Sequence, residues 1–189
     1  MPNLCACAAA AAAVLALAGC GGGERRDAHA PQGRYTVAVK RATFPSEQRL
    51  AQRSALVIAV RNAGEETIPD LSIVVRGFTD RMGGARNADP TRDVWIIDRG
   101  PAGAATAFSD TWAAGRLAPG DTATLRWDVT PVVAGRHELT YEIAPALAGS
   151  ARAQLAGGRE PQGTLAVRVL DRPAGARVDP RTGGVQRQE

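Results

Sequence analysis

Apolar and polar side chains alternate with a period of two along most of this chain, and helical periodicity is absent. A strand turns successive side chains to opposite faces, so the alternation predicts strands with one dry and one wet face. Tyr35, Val37 and Val39 alternate with Thr36, Ala38 and Lys40 to give a first strand. Leu56, Ile58 and Val60 form the next dry face, and Asn62-Ala63-Gly64-Glu65-Glu66 follows as a turn signal. Ile68, Leu71, Ile73 and Val75 rebuild the face, with Pro69 suited to a strand start or a bulge. After the turn Pro119-Gly120-Asp121, Ala123, Leu125, Trp127 and Val129 point one way. Beyond Ala134-Gly135-Arg136, so do Leu139, Tyr141 and Ile143, and then Leu165, Val167 and Val169. The run Val94-Trp95-Ile96-Ile97 offers a seventh strand.

Strands that are wet on one side and dry on the other predict two antiparallel sheets packed face to face, about 10 Å apart. The expected fold is therefore all-β: an immunoglobulin-like antiparallel β-sandwich of about seven strands, spanning residues 34–170. A closed barrel is the alternative arrangement. The NAG turn between alternating strands, then PGD-x-A-x-L-x-W and AG-x-H-x-L-x-Y, resemble CARDB-like and related immunoglobulin-like domains of bacterial cell-surface proteins. That resemblance implies a surface module. The chain departs from antibody-type domains in lacking an inter-sheet cysteine pair and in placing Trp127 on a later strand.

The N-terminal stretch obeys a different rule. Residues 1–19 carry no charged side chain, and Ala8 to Ala18 is unbroken apolar sequence. It falls short of the about 20 residues that cross a bilayer as a helix, but matches the hydrophobic region of a signal peptide. Leu17-Ala18-Gly19-Cys20 resembles the lipobox of bacterial lipoproteins. The resemblance implies cleavage before Cys20, a diacylglyceryl thioether on its sulfur, and two or more chains holding the protein at a membrane. The expected location is the extracytoplasmic side of the cell membrane. The n-region has no Lys or Arg, an omission that a start upstream of Met1 would repair. Residues 20–33, rich in Gly and charge, read as a flexible tether. Residues 171–189 read as a polar tail, ordered at most in a turn at Asp179-Pro180-Arg181-Thr182-Gly183.

Composition then narrows the chemistry. Cys5 and Cys7 fall in the removed segment and Cys20 is the acylated one, so the exported domain is expected to fold without disulfides. Of 23 basic residues only Lys40 is lysine, and they are interspersed with 19 acidic ones. Codon usage explains that skew better than a selected basic patch, and no nucleic-acid partner is expected. Catalysis through histidine is poorly supplied. His29 lies in the tether and His137 opens a strand, and Ser109, Asp110 and His137 form a triad only on paper. Scarce histidines and spent thiols exclude an ordinary zinc or copper site, and no cofactor is expected. Asp80, Asp89, Asp93, Asp98 and Asp110 carry the oxygens calcium takes, but without EF-hand spacing, and read as solvated turn residues.

The connection from Phe78 to Leu117 is too long for an ordinary sandwich loop and holds Trp95 and Trp112. Either residues 93–98 form a strand and the two indoles plug the end of the sandwich, or they form an exposed platform for a glycan or protein. The plug is the simpler reading, with Trp95 and Trp112 kept as weak ligand-binding candidates. Pro145 to Gly163 reads as a hairpin tip or a loop. The functional expectation is a membrane-anchored, non-enzymatic module for an envelope protein or polysaccharide. The alternative is an accessory subunit of an envelope transporter or hydrolase.

Overall fold

The computed structural model describes residues 31–81 and 91–173 and, near the C-terminus, 175–178, 181–182 and 185–187. Cys20, the signal stretch, and the tether through residue 30 lie outside the described residues. In chain order the first eight strands are β1 (Arg34–Thr43), β2 (Glu47–Leu50), β3 (Ser54–Asn62), β4 (Ile68–Arg76), β5 (Thr79–Arg81), β6 (Thr91–Asp93), β7 (Trp95–Arg99) and β8 (Ala105–Phe108). The rest are β9 (Thr111–Leu117), β10 (Thr122–Pro131), β11 (Gly135–Ala144), β12 (Arg152–Gln154), β13 (Gln162–Pro173), β14 (Ala176–Val178) and β15 (Val185–Arg187).

Two sheets stack as a sandwich, one ordered β12-β1-β3-β10-β7 and the other β2-β13-β11-β4-β9-β8. The all-β immunoglobulin-like sandwich is thus the fold of the chain, with open sheet edges rather than a closed barrel. The dry faces meet between the sheets. Leu56, Ile58 and Val60 of β3 and Ile68, Leu71 and Ile73 of β4 are fully buried, with Trp127 and Val129 of β10. Pro69 sits at a register shift between Ile68 and Leu71, where β4 needs no ladder donor from it. A second shift, between Val39 and Arg41 of β1, leaves Lys40 at a bulge.

Four features depart from the expected outline. The sheets are mixed, because β12 runs parallel to β1 and β2 runs parallel to β13 at two outer edges. The connection from Phe78 to Leu117 contains β5 to β9. The stretch from Pro145 to Gly163 is neither a hairpin tip nor a loose loop. It crosses to the opposite sheet, where Ala151 and Ala153 are buried and β12 extends the edge beside β1. The C-terminal tail, expected to hold at most a turn, pairs β14 with β15 about a turn at Arg181 and Thr182.

The Asn62 turn shows how the sheets are clipped together. Asn62 is 1% exposed; its Nδ2 donates to Glu66 O at 2.8 Å and Leu117 O at 3.0 Å. Its Oδ1 accepts the Gly64 N–H at 3.0 Å. The same residue's backbone exchanges bonds with the Pro119-Gly120-Asp121 turn, Asn62 N to Asp121 O and Gly120 N to Asn62 O. One buried amide therefore ties the end of β3 to β9 and to the turn that leads into β4, and leaves none of its own polar groups orphaned.

Candidate functional site

Trp95, at the start of edge strand β7, points inward and is 1% exposed. Phe44 lies 5.5 Å away at a tilt, and His137 of β11 stands edge-on at 5.4 Å. The indole Nε1 donates to Gln48 Oε1 at 2.8 Å, and Gln48 Nε2 donates to Pro45 O at 3.1 Å. Trp112, 5% exposed, packs edge-on to Phe78 and to Trp127. Both candidate rings are therefore covered by other side chains, and the exposed tryptophan platform is not formed. The indoles plug the sandwich because their area is worth more in the core, and Gln48 satisfies the one polar atom that Trp95 brings with it.

The polar candidates do not converge. Asp110 accepts the Val75 N–H through its backbone at the β8–β9 turn. Val75 is the register partner of Tyr141, which puts His137 about 13 Å further along β11 from that row. The His137 ring nitrogen Nε2 is spent on Val133 O at 3.1 Å. Asp98 accepts from Thr130 Oγ1 at 2.7 Å and pairs with Arg53 at 3.4 Å, on the outer face of the other sheet. Asp93 is exposed on β6. Asp80 lies on β5, and Asp89 is outside the described residues. Among the described residues no group of three or more His, Cys, Asp or Glu is placed to hold a metal ion. Burial raises the Tyr141 phenol above its ordinary value, so it stays protonated at neutral pH.

The outer face of the β2-β13-β11 region carries a feature that the alternation alone does not reveal. Ser46, Arg136, His137, Glu138, Ala166, Val167 and Arg168 line a hollow of about 510 Å³. Arg136 and Arg168 sit directly opposite one another in the β11–β13 register. The pair also borders a second hollow of about 280 Å³ with Ala134, Gly135 and Asp171. No local signal announces this pairing, since the register is carried across the detour through β12.

No protein-family model matches this chain, and no curated protein matches it. The chain is similar to the CARDB domain of a Pyrococcus furiosus protein, crystallised with di-metal ions. The likeness is 14% identical, covers 71% of this chain and 86% of that chain, and has a TM-score of 0.42. It is similar to Escherichia coli alpha-2-macroglobulin at 16% identity and a TM-score of 0.47, covering 79% of this chain and 21% of that chain. It also resembles the bacterial hydrophobin BslA at 15% identity and a TM-score of 0.37, covering 75% of this chain and 98% of that chain. CARDB and immunoglobulin-type domains are thus among the folds it is similar to. The metal ions of the first structure belong to that protein.

Proposed function

We propose that this chain is a lipid-anchored, non-enzymatic module of the bacterial cell envelope, held through Cys20 and presenting its sandwich to a protein or polysaccharide. The observation that carries the reading is the closed core. With Trp95, Trp112 and Trp127 filling the space between the sheets, recognition is left to the outer faces, edges and turns. The polar candidates for a catalytic centre lie apart: His137 packs against Trp95 with Nε2 on Val133 O, Asp98 bonds Thr130 on the other sheet, and Asp110 sits at the β8–β9 turn. The Leu17-Ala18-Gly19-Cys20 motif supplies the address, and the Gly-rich sequence after it supplies reach. A thiol-free domain suits that address, because its stability is independent of the redox state outside the cell.

Metabolic labelling with a fatty-acid analogue in a bacterial host, followed by membrane fractionation, tests the anchor. The wild-type chain should carry label and sediment with membranes. The Cys20→Ser chain should be unlabelled, and either released or left with its signal uncleaved. Processing and fractionation of Cys20→Ser identical to wild type overturns the anchor. Crosslinking of the labelled protein in intact cells then tests the module, which should recover an envelope protein or glycan. Turnover of a glycan or peptide bond by the purified chain would overturn the non-enzymatic reading.

A further inference from the structure

We infer that Arg136 and Arg168 form a binding site for a carboxylated saccharide. The inference rests on the envelope-module reading and names its ligand class. Directly opposed residues on an antiparallel pair hold their Cβ atoms about 4.5–5.5 Å apart, and like charges placed there repel. Both arginines are exposed register partners. Three other surface arginines do have carboxylate partners: Arg53 pairs with Asp98, Arg76 with Glu142 and Arg126 with Asp128. Among the described residues, neither Arg136 nor Arg168 makes a side-chain hydrogen bond or ion pair. Glu47, the register partner of Arg168 on β2, does not pair with it either.

The surroundings define what would relieve the repulsion. Arg136 and Arg168 both border both hollows, and a guanidinium's fork of N–H donors matches the two oxygens of a carboxylate. The larger hollow exists because Ala166, opposite Glu138, leaves space that a longer side chain would fill. Its lining offers an apolar floor at Ala166, a hydroxyl at Ser46 and an acceptor at Glu138. Glu138 opposes a dense dianion such as phosphate, yet accepts hydrogen bonds from sugar hydroxyls. A ring bearing one carboxylate and several hydroxyls fits all four groups. Neutral sugars leave the arginine pair unanswered.

Titration of the full-length chain with oligogalacturonate, read by calorimetry, tests the site. A neutral glucan of equal length and inorganic phosphate serve as comparison probes. Oligogalacturonate should bind, and Arg136→Gln or Arg168→Gln should each weaken it at least tenfold. Each single substitution should also leave Tm unchanged or raise it, because it removes a like-charge pair. Arg49→Gln, on the neighbouring strand and outside both hollows, should bind as wild type. The assignment is overturned if oligogalacturonate does not bind, if both substitutions leave its affinity intact, or if phosphate binds as well. Capture of a neutral glycan or a protein alone would also overturn this site while leaving the envelope-module reading standing.

Discussion

Replacing two buried tryptophans by phenylalanine, one at a time, separates packing from hydrogen bonding in this core. Trp95 and Trp127 are 1% and 0% exposed, so each Trp→Phe change deletes the same atoms from an equally dry site. The void left behind costs a similar amount in both. The indole N–H groups differ. Trp95 Nε1 donates to Gln48 Oε1 at 2.8 Å, whereas Trp127 Nε1 is buried with no hydrogen-bond partner among the described residues. Trp95→Phe therefore strands an acceptor on Gln48, a residue only 3% exposed, at a cost of about 1–3 kcal/mol. Trp127→Phe removes a donor that was already stranded and recovers a similar amount. The difference leaves Trp95→Phe the costlier by about 2 kcal/mol or more, roughly 4–8 °C in Tm for a chain of this length. Urea unfolding followed by far-ultraviolet circular dichroism measures it without relying on the fluorescence being deleted. Adding Gln48→Leu to Trp95→Phe should restore part of the loss, limited by the bond from Gln48 Nε2 to Pro45 O. If Trp127→Phe proves as costly as Trp95→Phe, the hydrogen-bond reasoning is wrong.

Three further outcomes follow from backbone and polar geometry. Gly77 has φ 106°, and a Cβ there would lie 2.4 Å from Glu138 O, so Gly77→Ala should cost upwards of about 3 kcal/mol. Gly100→Ala, whose nearest contact would be Trp112 Nε1 at 3.9 Å, should be nearly neutral; equal urea midpoints for the two would contradict this. Asn62→Ala should cost about 2–4 kcal/mol by orphaning Leu117 O, Glu66 O and Gly64 N. Asn62→Asp should be no better, because a carboxylate would face two carbonyl oxygens, and a stable Asn62→Asp domain would sink the point. Finally, the Tyr141 phenol is raised by burial, so the folded state favours its neutral form. That contribution is complete below the unfolded value of about 10 and is lost as pH climbs through the raised folded value. Alkaline melting curves should therefore fall less steeply for Tyr141→Phe than for wild type, and parallel curves would count against it.

The long strands were legible because large apolar positions recur at every second residue over five residues or more, enough to fix both period and face. Leu56, Ile58 and Val60, or Leu125, Trp127 and Val129, point inward as their spacing requires. The strands that escaped notice are short. Residues 152–154, 47–50 and 105–108 hold too few alternations to stand apart from a loop, and they exist because a neighbour's ladder is open beside them. Val94-Trp95-Ile96-Ile97 shows the limit from the other side. The run reads as a strand, which it is, but all four residues are apolar while Ile96 is 48% and Ile97 38% exposed, because β7 pairs on one side only and ends its sheet.

The same distinction governs the site. Trp95 and Trp112 attracted a functional reading because tryptophan is conspicuous, but a large apolar ring is also what the end of a disulfide-free core most needs. Arg136 and Arg168 attracted none, because each is an ordinary polar position on the wet face of an alternating strand. Their meaning depends on register. A slip of one residue between β11 and β13 would send Leu139 and Val167 to the solvent face, so the core holds the two arginines opposite each other whether or not their charges agree. Burial at Leu139 and Val167 thus sets two like charges side by side on the surface, and that imposed juxtaposition is what the proposed carboxylate site rests on.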